Sequence, residues 1–94
     1  MPRDDATLLD VAGALRRIRA FSEGFDRDAF ARDERTQSAI LHQLLVLGEA
    51  VKRLSTELRD DHPDIPWHQI AGMRDRLIHG YDTVDLDEVW NAVT

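Results

Sequence analysis

The side chains best equipped for chemistry lie together between Arg74 and Tyr81. Arg74 carries a planar guanidinium with paired donors, Asp75 a carboxylate, and His79 an imidazole that changes charge near neutral pH. Tyr81, the one tyrosine in the chain, follows two residues later. Arg74 is the anomaly, because it sits inside the apolar stripe Ile70, Met73, Leu77, Ile78. A guanidinium on such a face is costly to bury without partners. Either its stem packs while its head reaches water or a carboxylate such as Glu49, or the position serves a reaction. Asp75 is four residues before His79, so the two are surface neighbours on a helix. A carboxylate there would stabilise the imidazolium and fix the ring. His79 points about 140° away from Arg74 and lies roughly 7.5 Å further along the axis. One helix does not readily converge both groups on one atom. Two copies about a two-fold axis would, each supplying an Arg and a His to a shared cleft. Plainer roles are open to the same residues: a histidine near a helix end can cap it, and a lone tyrosine can simply pack.

These residues need a scaffold, and the periodicity supplies an all-α one. Four helical segments are expected, with no convincing strand. The first runs roughly from Thr7 to Ser22, with Leu8, Val11, Ala12, Leu15, Ile18 and Phe21 along one face, Asp4 or Asp5 as its cap and Gly24 as its stop. A polar connector, Phe25 to Asp33, follows, anchored by Phe25 and Phe30. The second and longest segment runs from Glu34 to Arg59. Ile40, Leu44, Leu47, Val51, Leu54 and Leu58 form one stripe, and Leu41, Leu45 and Gly48 a second, as in a central helix with several neighbours. Glycine within a helix costs about 1 kcal/mol against alanine, so Gly48 is expected to permit a close helix–helix approach. The third segment starts near Pro66, with Asp64 placed to cap it, and runs to His79, with Gly80 as its stop. The fourth starts at Asp85, where Asp85 and Glu88 have capping-box spacing and Val84 with Val89 fits a hydrophobic staple. Its roughly ten residues are marginal alone, so it must dock firmly or belong to a longer helix.

The run Gly72-Met73-Arg74-Asp75-Arg76-Leu77-Ile78-His79-Gly80-Tyr81 closely resembles the signature of HepT-type toxins, a branch of the HEPN superfamily. Members carry Arg, then Asn, Asp or His, then His after a short gap, and the HepT branch adds a tyrosine two residues on. Leu47-Gly48-Glu49-Ala50, Ile65-Pro66-Trp67 and the stretch from Val84 to Trp90 also look like family landmarks, so the likeness covers most of the chain. The resemblance implies a small antiparallel HEPN-type bundle of about four to five helices spanning 1–94 as one domain, assembled as a homodimer. It implies a metal-independent endoribonuclease of a type VII toxin–antitoxin pair, with no cofactor. His79 would be general base or acid on the ribose 2′-hydroxyl and leaving oxygen, and Arg74 would hold the scissile phosphate. Asp75 would position the Arg or the His, and Arg76 would add a phosphate contact or face solvent. The partner implied is a nucleotidyltransferase antitoxin (MntA-like) that silences the toxin by attaching AMP to Tyr81. There the new phosphodiester would occupy the substrate phosphate site beside Arg74.

Composition sets the outer limits. The 94 residues are 43% hydrophobic and 32% charged, with a net charge of −6 and no cysteine. That balance fits one globular domain and argues against broad, charge-driven nucleic-acid binding, so RNA affinity must come from a local cleft. The absence of cysteine fits a reducing, cytoplasmic setting. The N-terminus lacks a signal-peptide pattern, and the most apolar stretch, Ala39 to Val51, is too short and too polar to span a membrane. Three readings follow: a ribonuclease toxin, a non-catalytic HEPN domain that binds a nucleotidyltransferase, and a structural helical module with Arg74 in an ion pair.

Overall fold

The computed structural model describes residues 2–79 and 86–93, with all side chains among them except those of residues 2, 3, 79 and 87. Among the described residues the chain is all helical: α1 (Pro2–Ser22), α2 (Arg27–Arg32), α3 (Glu34–Arg53), α4 (Thr56–Asp61), α5 (Trp67–His79) and α6 (Leu86–Val93). Helix α3 is central, with α1 packed along one side and α5 along another. The core is Val11, Ala14 and Ile18 of α1, Phe30 of α2, seven apolar positions between Ile40 and Leu54, then Leu77 and Val89. The two apolar stripes of α3 thus meet two different neighbours.

Helix α1 begins earlier than its apolar pattern suggests, and its buried stripe is shifted. Asp4, Thr7, Val11, Ala14 and Ile18 face inward, while Leu15 and Phe21 remain exposed. Because the helix already starts at Pro2, Asp4 stands in its first turn instead of capping it. Its carboxylate crosses to the end of α3, accepting from the Ser55 hydroxyl at 2.6 Å and the Ser55 N–H at 3.0 Å. Those two donors, the hydroxyl foremost, hold the Asp4 carboxyl below its usual range. Arg53 reaches Asp10 on the same pair, so α1 and α3 run antiparallel. Gly24 closes α1 as expected, at φ +80°.

The long second segment is two helices. Leu54 and Ser55 are extended, with ψ near 150° at both, and Ser55 caps α4 by accepting from the Leu58 N–H at 3.2 Å. The apolar spacing runs through this break because Leu54 and Leu58 face the core from opposite sides of it. Helix α4 is fastened to α5 by the Trp67 indole N–H, which donates to the Arg59 and His62 carbonyls at the end of α4. Helix α5 starts at Trp67, and the Pro66 carbonyl accepts from the Ile70 N–H, so Pro66 and not Asp64 stands at its cap position. The polar connector also contains a helix, α2, capped by Asp26 through the Ala29 N–H at 2.8 Å. Its Phe30 is fully buried and stacks obliquely on Trp90 of α6 at 5.2 Å.

Helix α6 docks firmly. Val89 is fully buried, Arg27 donates to Asn91 at 2.7 Å, and Arg76 of α5 pairs with Glu88. Glu88 serves a tertiary ion pair, and the capping box expected of it depends on Asp85. Asp85, Val84 and Gly80 lie outside the described residues.

The α3–α5 crossing depends on Gly48. A Cβ built there would stand 2.8 Å from Arg74 Cγ and 3.4 Å from Arg74 Cα, and closer still to Arg74 Cβ. Gly48→Ala gains about 1 kcal/mol of helix propensity but meets the root of another helix's side chain, and overpacking of this kind costs typically 1–3 kcal/mol. We expect net destabilisation, read as a lower urea midpoint with an unchanged slope; a variant at least as stable as the parent would show that the two helices do not touch there.

Candidate functional site

Arg74 lies where α5 crosses closest to α3. Its first carbons fill the space that the missing Gly48 side chain leaves open. This contact puts a cationic side chain on an otherwise apolar stripe: the stem is packed and the side chain is only 22% exposed. The head is held by two carboxylates. It donates to Glu49 of α3, the carboxylate singled out from the sequence, and to Asp75 Oδ1 at 3.0 Å. Hydrogen bonds to Asp75 first and Glu49 second raise the guanidinium's pKa further above its ordinary value, so Arg74 is a fixed cation. Its Nε is buried without an acceptor among the described residues.

Asp75 carries a second cation. Lys52, one turn beyond Glu49 on α3, donates to the same Asp75 Oδ1 at 2.7 Å. The cluster thus alternates in sign from Glu49 through Arg74 and Asp75 to Lys52, and it bridges the two helices. Lys52 was not singled out in the sequence. Its only signal there is that it lies three residues after Glu49, on the same flank of one helix. Of the two partners open to Asp75, Arg74 is in contact with it, and the His79 side chain lies outside the described residues.

Three expected site residues lie elsewhere or beyond view. Arg76 points to the other flank of α5, where it pairs with Glu88 of α6, so it joins elements together and is not in this cluster. His79 is the last residue of α5, and its side chain lies outside the described residues, as does all of Tyr81. The flank of α5 beside Arg74 and Asp75 includes Gly72 and Ile78. Ile78 is 51% exposed, and a Cβ on Gly72 would meet nothing within 4 Å.

A family profile described as Ribonuclease HepT-like matches residues 11–94. The chain belongs to the HepT-like ribonuclease family. It is similar to a Thermococcus cleftensis protein named Probable ribonuclease HepT, with 38% identity over 92% of this chain and 78% of the relative. Two Methanocaldococcus jannaschii proteins named as inferred RNases are 36% and 38% identical, over 99% and 98% of this chain and 78% and 81% of their own lengths. No solved structure matches. The Arg74–Glu49 contact is thus found in a HepT-like chain, inside the matched region.

The cluster gives this HepT-like chain a definite acid response. Lys52 foremost, and then Arg74, holds the Asp75 carboxyl below its ordinary value of 3.8. A carboxyl lowered by folding adds stability that is complete above its unfolded value and is lost as pH falls through the folded one. Urea midpoints measured from pH 6 to pH 3 should therefore fall below about pH 4. Asp75→Asn should be less stable than the parent at pH 6 and converge towards it in acid. Parallel curves would mean that Asp75 gains nothing from its two cations in solution.

Proposed function

We propose that this chain is a metal-independent endoribonuclease, the toxin of a toxin–antitoxin pair, with a cleft completed by a second copy of itself. The observation that carries the reading is a guanidinium preset by Glu49 and Asp75 in a family of ribonucleases. Holding the cation in place before substrate arrives means that little reorganisation is needed as charge builds on a phosphate. Glu49 and Asp75 each take one donor of a guanidinium that has five, leaving others for a phosphodiester.

His79 stands roughly 7.5 Å further along α5 and about 140° around it, so one protomer does not readily bring both groups to one phosphorus. A two-fold pairing along the α5 flank brings one protomer's His79 towards the other's Arg74. The exposed Ile78 and the open Gly72 on that flank suit such a contact. One imidazole then removes the proton of the ribose 2′-hydroxyl. The 2′-oxygen attacks phosphorus, a 2′,3′-cyclic phosphate forms, and the 5′-oxygen leaves with a proton from the second imidazole. Arg74 offsets the charge on the non-bridging oxygens. The nucleophile belongs to the RNA, so no metal is required. The enzyme acts in the cytoplasm, where its RNA is, and no helix among the described residues is long and apolar enough to cross a membrane.

The partner that restrains it is a nucleotidyltransferase antitoxin (MntA-like), which transfers AMP to the Tyr81 hydroxyl. Tyr81 follows the end of α5 by two residues in the sequence, and an added phosphodiester would compete for the cations meant for substrate. Mass spectrometry after co-expression with such a transferase should find one adenylyl group on the Tyr81 peptide. Its appearance on any other residue, or its absence, refutes this arm.

The nuclease itself is tested by incubating purified protein with RNA in EDTA. The wild type should cut, and Arg74→Ala and His79→Ala should each lose on the order of 10²–10⁴ in rate. Intact RNA with the wild type, or cutting by both variants at the wild-type rate, overturns the reading in favour of a domain that only binds its partner.

A further inference from the structure

Arg74 by itself is a poor phosphate receptor. Flanked by Glu49 and Asp75, it forms a group whose net charge is −1, and such a group repels a phosphodiester at close range. Lys52 changes the sign of that balance. Its ammonium shares Asp75 Oδ1 with Arg74, at 2.7 Å against 3.0 Å, which brings the two cations side by side and makes the cluster neutral. Asp75 takes one of the three donors of the ammonium, and the side chain is 41% exposed, so it stands at the rim and not in the packed interior. Arg76, the other basic residue of the motif, is engaged with Glu88 on a different flank.

We infer that Lys52 is a second phosphate-binding residue of the RNA cleft, gripping the backbone beside the phosphate that Arg74 holds. This rests on the ribonuclease reading and extends it to a residue outside the motif, on a different helix. A lysine suits the role: it acts as a point charge on a flexible stem and can follow a moving RNA backbone while Arg74 stays clamped. Asp75 then works as a spacer that keeps two like charges together while no RNA is bound.

The test separates this role from a simple α3–α5 tether. A 2′-O-methyl oligoribonucleotide, which lacks the nucleophile and cannot be cut, is titrated against wild type, Lys52→Met and Lys52→Arg at a series of salt concentrations. Each single-stranded phosphate contact contributes about 0.7 to the slope of log K against log salt. Lys52→Met should lower that slope by about 0.7, or about twice that if both protomers touch one strand, with affinity down roughly tenfold. Lys52→Arg should restore the slope. On cleavable RNA, Lys52→Met should raise KM and leave kcat nearly unchanged. If the wild type binds and cuts but Lys52→Met keeps the full slope, Lys52 is only a tether and the nuclease reading survives. If the wild type binds no RNA at any salt concentration, both readings fall. Thermal unfolding of each variant confirms that the comparison is between folded proteins.

Discussion

The close crossing of α3 and α5 is the constraint from which the rest of the site follows. Gly48 has no side chain, so the root of Arg74 can lie against the α3 backbone. Once the stem is fixed there, its head can reach Glu49 on the next residue of α3 and Asp75 on the next residue of α5. A larger residue at position 48 would part the helices and leave Arg74 with slack at its base. The packing contact and the polar cluster are therefore one feature, in which close backbone approach provides the precision that a long, flexible cation otherwise lacks.

The other elements hold that crossing in place from outside. Trp67 joins the start of α5 to the end of α4, and Ser55, which caps α4, is held by Asp4 of α1. The far end of α5 is attached to α6 by Arg76 and Glu88, and α6 rests on α2 through Trp90 and Phe30. Both ends of the helix that carries the motif are thus tied to neighbours by hydrogen bonds, an ion pair and an aromatic contact. Short helices such as α2, α4 and α6 would be marginal alone, and their order comes from these contacts.

Much of this was legible in the sequence, and what was missed has physical causes. The class, the central role of α3, the close approach at Gly48, the stop at Gly24 and the Glu49 partner of Arg74 all follow from periodicity and from the cost of burying a guanidinium. The break at Leu54 and Ser55 was hidden because the apolar stripe continues across it. Ser55, a good cap followed by Thr56 and Glu57, was the local signal that the stripe outweighed. The inward face of α1 was displaced because Ala14 and Thr7 fit the tight contact with α3, leaving Leu15 outside. Small size decided that face, and hydrophobicity alone does not report it. Of the two roles open to Arg76, a phosphate contact or a solvent-facing place, neither named its partner Glu88, because 100° per residue turns it to the flank that faces α6. Lys52 was missed because it is near the motif only across two helices.

An acidic protein that handles RNA must concentrate positive charge locally, because its overall field opposes approach. A net charge of −6 spread over the surface is screened beyond roughly 10 Å at moderate salt, so short-range arrangement decides what a phosphate meets. The described cluster is neutral as a whole but polarised. Its carboxylates are spent on orienting cations, one of them packed and the other more exposed, at the rim. A neutral site of this kind binds weakly until several phosphate contacts act together. That favours a flexible single strand, which can lay successive phosphates across several cations, over an isolated phosphate ion, which can use only one contact at a time.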